Sequence, residues 1–169
     1  MISIIEFESK YAEDFKQLNL EWLDKFSLTE EADLLMLNNP QKEIIDNGGA
    51  IFLAKEDDKI VGSAAIIRET STKYELAKMT VSPVFRGKGI SKLLIEICIE
   101  RAKKSGAEKM YLLSNSQLGT ALKLYEKYGF KYIPVKNAHY ATADVMMELV
   151  ISTLPVENAI FSVEDNRKS

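Results

Sequence analysis

The chain has 169 residues, 46% hydrophobic and 28% charged, a balance that excludes a disordered chain and fits one globular domain with its own core. A formal net charge of -3 excludes a general nucleic-acid binder, whose affinity needs a strong positive field, while permitting a local basic pocket. The single cysteine, Cys98, excludes an internal disulfide, and its apolar neighbours make it a buried, inert thiol.

The stretch "MISIIEFESK" lacks the basic start and apolar run of a signal peptide, and no apolar run is long enough to span a membrane. A cytoplasmic protein is the expectation. The lone histidine and lone cysteine lie far apart in sequence, so no metal site is expected.

"ISIIEF" (residues 2–7) is short and β-branched, a first strand. Tyr11, Phe15, Leu18, Trp22 and Phe26 recur at steps of three and four, an amphipathic helix. Ser27 and Glu30 have the spacing of a capping box for a second helix, "EADLLML". Pro40 ends that helix and opens a short helical segment, closed by Gly48 and Gly49. "AIFLAKEDDKIVGSAAIIRE" then reads as a hairpin with a polar turn at "EDDK", and "YELAKMTV" (74–81) as another strand. A long helix covers about 88–105, with Arg101, Lys103 and Lys104 in its last turns, where cations suit the dipole. "KMYLLS" (109–114) is a buried strand, "QLGTALKLYEKYG" (117–129) a helix, and "FKYIPV" and "VMMELV" are the last strands. Strand–helix–strand over 74–114 predicts two parallel strands joined by a crossover helix. Residues 1–150 form the expected domain. Residues 151–169 follow as a tail, expected to be disordered or to dock through "AIFSV".

The segment "FRGKGIS" opens the long helix. A helix that begins just after two glycines exposes backbone N–H groups suited to a phosphate, with Arg86 and Lys88 adding charge. A P-loop is excluded because no glycine stands five before Gly87, and a dinucleotide fingerprint because Lys92 occupies its third glycine. Local chemistry alone leaves a plain strand-to-helix turn and an anion cradle evenly matched.

"VSPVFRGKGIS" resembles the acyl-CoA-binding motif [QR]-x-x-G-x-[GA] of the GNAT superfamily of N-acetyltransferases, through Arg86 and Gly89, with Ser91 in the last position. "ALKLYEKYGF" resembles that family's A-x-x-L-Y-x-x-x-G-F element, through Ala121, Leu124, Tyr125, Gly129 and Phe130. Leu118 stands where an asparagine often precedes that alanine, and Asn115 is its candidate replacement.

The resemblance implies an α/β (α+β) fold: a central mixed, mostly antiparallel sheet of about seven strands, flanked by helices. Strands four and five are parallel and splayed. It implies acetyl-CoA as cofactor. Backbone groups of Met79 and Val81 would meet the pantetheine arm, N–H groups of Arg86, Gly87, Lys88, Gly89, Ile90 and Ser91 the diphosphate, and Asn115 would add a contact. Tyr125 matches the tyrosine that serves as general acid, although a tyrosine on such a helix face, read alone, is a core aromatic. Glu75 matches a glutamate that serves as base, and an exposed strand carboxylate is the equal alternative.

On the acceptor side Glu21 is a candidate for binding a cationic substrate, with Trp22 as its cation–π partner and Tyr140 as a wall. His139 reads as a solvated loop histidine rather than a catalytic group. The expected function is transfer of acetyl from acetyl-CoA to a primary amine of a small molecule, by direct attack in a ternary complex. Acetylation of a protein N-terminus or lysine, and non-catalytic acyl-CoA binding, are the alternatives. Nothing in the residues distinguishes monomer from homodimer.

Overall fold

Apolar runs on the central strands and one long amphipathic helix organise the chain. The computed structural model describes residues 1–151, so the expected tail lies outside them apart from Ile151, which is buried. The strands are β1 (Ile2–Glu6), β2 (Ala50–Glu56), β3 (Lys59–Arg68), β4 (Lys73–Val81), β5 (Lys109–Ser114), β6 (Lys131–Ile133) and β7 (Val145–Val150). The α-helices are α1 (Ala12–Lys25), α2 (Glu31–Asn38), α3 (Ile90–Lys104) and α4 (Gly119–Lys127), and one π-helical turn spans Gln41–Ile45. The sheet order is β1-β2-β3-β4-β5-β7-β6. Among the described residues only β4 and β5 pair in parallel, as expected from the crossover through α3, and every other neighbour is antiparallel.

Both faces of the central strands are buried. On β2, Ala50, Phe52 and Ala54 join the core under α3, while Ile51 and Leu53 point to the opposite core with Phe15 of α1, Leu37 of α2 and Ile44. Ile90, Leu94, Ile95 and Cys98 place α3 directly on the sheet. The approach is close at Gly62 on β3, where an added Cβ would lie 3.2 Å from the Ile90 side chain and 3.3 Å from that of Leu94. Cys98 is fully buried, and desolvation pushes its thiol pKa well up, which makes it the inert thiol expected.

Three local expectations need correction. Ser27 does not cap α2. It adopts a left-handed conformation (φ 55°) that ends α1, with the Leu28 N–H reaching back 2.9 Å to the Leu23 carbonyl. The capping contact at the start of α2 comes from Asp33, whose carboxylate accepts the Glu30 N–H at 2.9 Å. The long helix starts at Ile90 rather than near residue 88, because Gly87 (φ 77°) and Gly89 (φ 82°) are both left-handed. The strand read over "FKYIPV" shortens to Lys131–Ile133, since Pro134 cannot continue the ladder. Among the described residues no helix is long and apolar enough to cross a membrane.

Leu94 is fully buried beneath the sheet. Leu94→Ala is expected to cost about 2–5 kcal/mol in urea unfolding, through lost transfer energy and the cavity left behind. Val84→Ala, at a position 73% exposed, is expected to change stability by less than about 0.5 kcal/mol.

Candidate active site

The parallel pairing of β4 with β5 covers only Lys73–Glu75 against Lys109–Tyr111. Beyond it β4 runs on to Val81 along β3, while β5 runs on to Ser114 along β7. The two strands part, and a cavity of about 610 Å³ opens at their divergent end. Met79, Thr80 and Val81 form one wall and α4 the other. The α3 N-terminus closes one side through Arg86, Gly87, Gly89, Ile90 and Ser91.

A Cβ built on Gly87 or Gly89 meets nothing within 4 Å, so backbone conformation requires glycine there, and the space beside the loop is open. The first helical N–H groups have no intrahelical partner. Lys92, Lys123 and Lys127 add positive charge to the same cavity. These features fit a phosphorylated chain with an amide-bearing arm. Arg86 is exposed, and its Nε donates to the Val81 carbonyl at 3.1 Å, which ties the loop to the strand end. Lys88 is exposed, with its ammonium 5.1 Å from the Phe85 ring centroid, and does not line the cavity.

A second cavity of about 120 Å³ adjoins it. It forms where β4 bulges. Ser63 pairs with Thr80 but Ala65 pairs with Ala77, which inserts an extra residue on β4, and Lys78 takes a left-handed φ of 53°. A buried polar chain holds the bulge: Asn19 of α1 donates to Ser63 Oγ at 3.0 Å, and Ser63 Oγ donates to the Lys78 carbonyl at 2.7 Å. The Lys78 ammonium pairs with Asp33 of α2 and stands 3.4 Å from the Tyr140 hydroxyl, above the Tyr140 ring at 5.0 Å. The Glu30 carboxylate grips the loop between β6 and β7, accepting the N–H groups of Ala141 (2.8 Å) and Thr142 (2.9 Å) and the Thr142 hydroxyl. Burial opposes ionisation of Glu30, but the bonds from Thr142 and Ala141 and the nearby Lys78 outweigh it and hold the carboxyl below its ordinary value.

Glu75 and Tyr111 face each other in register, at the last paired position before the strands part. Both point to the side of the sheet that carries α1 and α2. Glu75 is 2% exposed, which removes the exposed-carboxylate alternative. Its Oε1 accepts from the Tyr111 hydroxyl at 3.4 Å and lies 2.9 Å from His139 Nε2. Burial and the Glu75 charge push the Tyr111 phenol up. The hydrogen bond to Glu75 pushes His139 above its ordinary value, against partial desolvation. Tyr125 of α4 lines both cavities and stacks edge-on with Phe130, centroids 5.9 Å apart. Burial raises its pKa, so the phenol holds its proton through neutral and mildly alkaline pH.

Residues 19–150 match the family described as the acetyltransferase (GNAT) domain. The chain belongs to the GNAT acetyltransferase family. It is 30% identical over 102 residues to the uncharacterized N-acetyltransferase YvbK of Bacillus subtilis, an alignment covering 59% of this chain. That alignment spans 66% of the relative's own length, just under two thirds. A GNAT-family acetyltransferase from Staphylococcus aureus Mu50 superposes with a TM-score of 0.81 at 24% identity, over 89% of this chain and 99% of its own. The PaiA N-acetyltransferase of Thermoplasma acidophilum, solved in complex with coenzyme A, superposes at 0.70 with 20% identity, over 89% and 99%. At these identities the structural likeness is one of fold.

Within this GNAT fold the expected residues separate. Val81, Arg86, Gly87, Gly89, Ile90 and Ser91 line the larger cavity; Glu75 and Tyr140 line the smaller; Trp22, Met79 and Tyr125 line both. Glu21 lines neither and is exposed, which corrects its assignment to the acceptor. The helix turns Asn19, Trp22, Leu23 and Phe26 toward the cavities, and at about 100° per residue Glu21 falls off that face. Asn115 lines the smaller cavity, with its amide donated to the Thr142 carbonyl (2.8 Å) and its carbonyl accepting the Gln117 N–H (3.0 Å). Its side chain shapes the turn after β5. Asn19, Asp33, Ser63, Lys78 and His139 carry no signal in the sequence that marks them for the site, because each acquires its neighbours from a distant element.

Lys78 and Asp33 are both about 5% exposed. Lys78→Met leaves Asp33 as a buried unpaired charge and is expected to cost about 3–5 kcal/mol in urea unfolding. Asp33→Asn keeps a capping acceptor, and the double variant is expected to recover most of that loss. A double variant as unstable as the sum of the singles would show that the pair is not coupled.

Proposed function

We propose that this protein is an acetyl-CoA-dependent N-acetyltransferase that acts on a primary amine of a small molecule, by direct attack in a ternary complex, with residues 1–150 as its catalytic unit. The observation that carries this reading is the junction of the two cavities. Trp22, Met79 and Tyr125 line both, so a donor in the larger cleft and an acceptor in the smaller would meet at Tyr125. The thioester supplies an activated acetyl group. The chain supplies binding through the β4 edge, the α3 N-terminus and the lysine-bearing rim.

Glu75 takes a proton from the acceptor ammonium, which frees the nitrogen lone pair. As the C–N bond forms and the C–S bond breaks, Tyr125 delivers its proton at the departing sulfur and regains one from the nitrogen, which sheds it on becoming the amide. The donor to the carbonyl oxygen is a backbone N–H beside the bulge, at Met79 or Thr80. The size of the smaller cavity, about 120 Å³, and its wall of Asp33 and Thr142 favour a small acceptor over a peptide chain.

Acetyl-CoA is expected to raise the melting temperature of the wild-type chain. Free CoA is expected to appear with members of a panel of glycinamide, 1,4-diaminobutane and glucosamine, and not with an octapeptide. Turnover on the octapeptide alone would favour protein acetylation. A melting shift with no turnover on any amine would favour non-catalytic binding, and no shift would remove the reading. Tyr125→Phe is expected to keep the melting shift while lowering kcat about 100-fold. Unchanged kcat would remove Tyr125 from the chemistry.

A further inference from the structure

The loop between β6 and β7 brings a histidine to the one carboxylate that the proposed chemistry uses as a base. Glu75 Oε1 carries both contacts, from Tyr111 at 3.4 Å and from His139 at 2.9 Å. Glu75 lines the smaller cavity, and its Oε2 takes neither of these two contacts. Glu75 is buried to 3% side-chain exposure, whereas the His139 ring is 42% exposed and exchanges protons with solvent.

We propose that His139 is a positioning residue for Glu75: its ring holds one carboxylate oxygen, aims the other at the acceptor amine, and by its own charge decides when Glu75 acts as a base. This rests on the reading of Glu75 as the base. A neutral imidazole donates Nε2–H to Oε1 and leaves the carboxylate its full basicity. An imidazolium on the same oxygen lowers that basicity and repels a cationic acceptor. The charged and titrating groups that act on the ring are Glu75 and Lys78 of β4, Glu69 of the β3–β4 turn and its own neighbour Tyr140, whose ring centroid is 4.8 Å away, while Tyr111 of β5 shares the Glu75 oxygen. Glu75 and Glu69 favour the imidazolium and Lys78 opposes it, which raises the titration of His139 above 6.5. Activity therefore switches on as pH rises through the titration of His139 and falls away below it.

His139 is the only histidine in the chain, so its ring C2 proton gives one isolated NMR signal. In the whole protein, with no acceptor present, that signal is expected to titrate above 6.5, and Glu75→Gln is expected to move the midpoint to 6.5 or lower. The acidic limb of kcat/KM, read with the best amine of the small panel, is expected to share the wild-type midpoint. His139→Gln retains a donor but does not titrate. It is expected to move the limb down by about one pH unit or more, with kcat at pH 9 within about threefold of wild type. His139→Ala is expected to lower kcat about tenfold at unchanged KM for acetyl-CoA, with partial recovery on adding imidazole.

An NMR midpoint unmoved by Glu75→Gln, or an acidic limb unmoved by His139→Gln, would overturn the proposal. If Glu75→Gln abolishes turnover while the His139 variants match wild type, the role of His139 alone is lost. If Glu75→Gln is fully active, the reading of Glu75 as base fails and takes this one with it.

Discussion

Everything at this site depends on two neighbouring strands that cannot stay together. β4 and β5 are hydrogen-bonded only as far as Glu75 and Tyr111. Past that point β4 keeps its antiparallel bonds to β3, and β5 keeps its own to β7. An interior strand edge without a partner is a standing demand for hydrogen bonds. In this fold that edge lines the larger cavity, where an extended, amide-bearing ligand can satisfy it as a further strand would. The crossover through α3 sets the geometry, because it returns the chain to the paired end of the sheet while its N-terminus stays at the open end. The helix that offers unpaired N–H groups and the strand edge that offers backbone bonds thus converge on one cleft.

The smaller cavity depends on the bulge in β4, and the bulge depends on a polar chain. Lys78 in a left-handed conformation costs energy for a residue with a side chain, on the order of 1–2 kcal/mol. The bond from Ser63 to its carbonyl and the support of Ser63 by Asn19 offset that cost. The same twist lets the Lys78 side chain meet Asp33 on α2, so one backbone irregularity joins the sheet to the helices above it. Glu30, at the start of α2, then fastens the β6–β7 loop that carries His139 and Tyr140. Buried charges in this region are paired across elements, which makes the wall of the small cavity cooperative rather than a set of separate loops.

Much of the fold is legible along the chain because it rests on local signals. Short β-branched and apolar runs mark the strands, glycines and prolines bound the helices, and the crossover rule makes β4 and β5 parallel. Where local signals compete, reading them singly fails. Ser27 has the spacing of a cap, but it is consumed in ending α1, and Asp33 supplies the capping contact of α2 instead. Glu21 neighbours Trp22 in sequence but points elsewhere, because helical rotation outranks adjacency. His139, with no motif about it, reads as solvated; its contact to Glu75 spans 64 residues of chain. No spacing rule reaches that far.

By itself, the sequence determined the order of elements, the burial of "KMYLLS" and the glycine-led helix start that suits a phosphate. These follow from side-chain periodicity and from the conformations that glycine alone adopts easily. It also marked Tyr125, through the company it keeps in "ALKLYEKYGF". Only the tertiary structure decided how far the β4–β5 pairing runs, where β4 bulges, and which groups gather around Glu75. Those outcomes depend on contacts between residues far apart in the chain, and a burial or a charge pairing has no existence until the elements that make it have met.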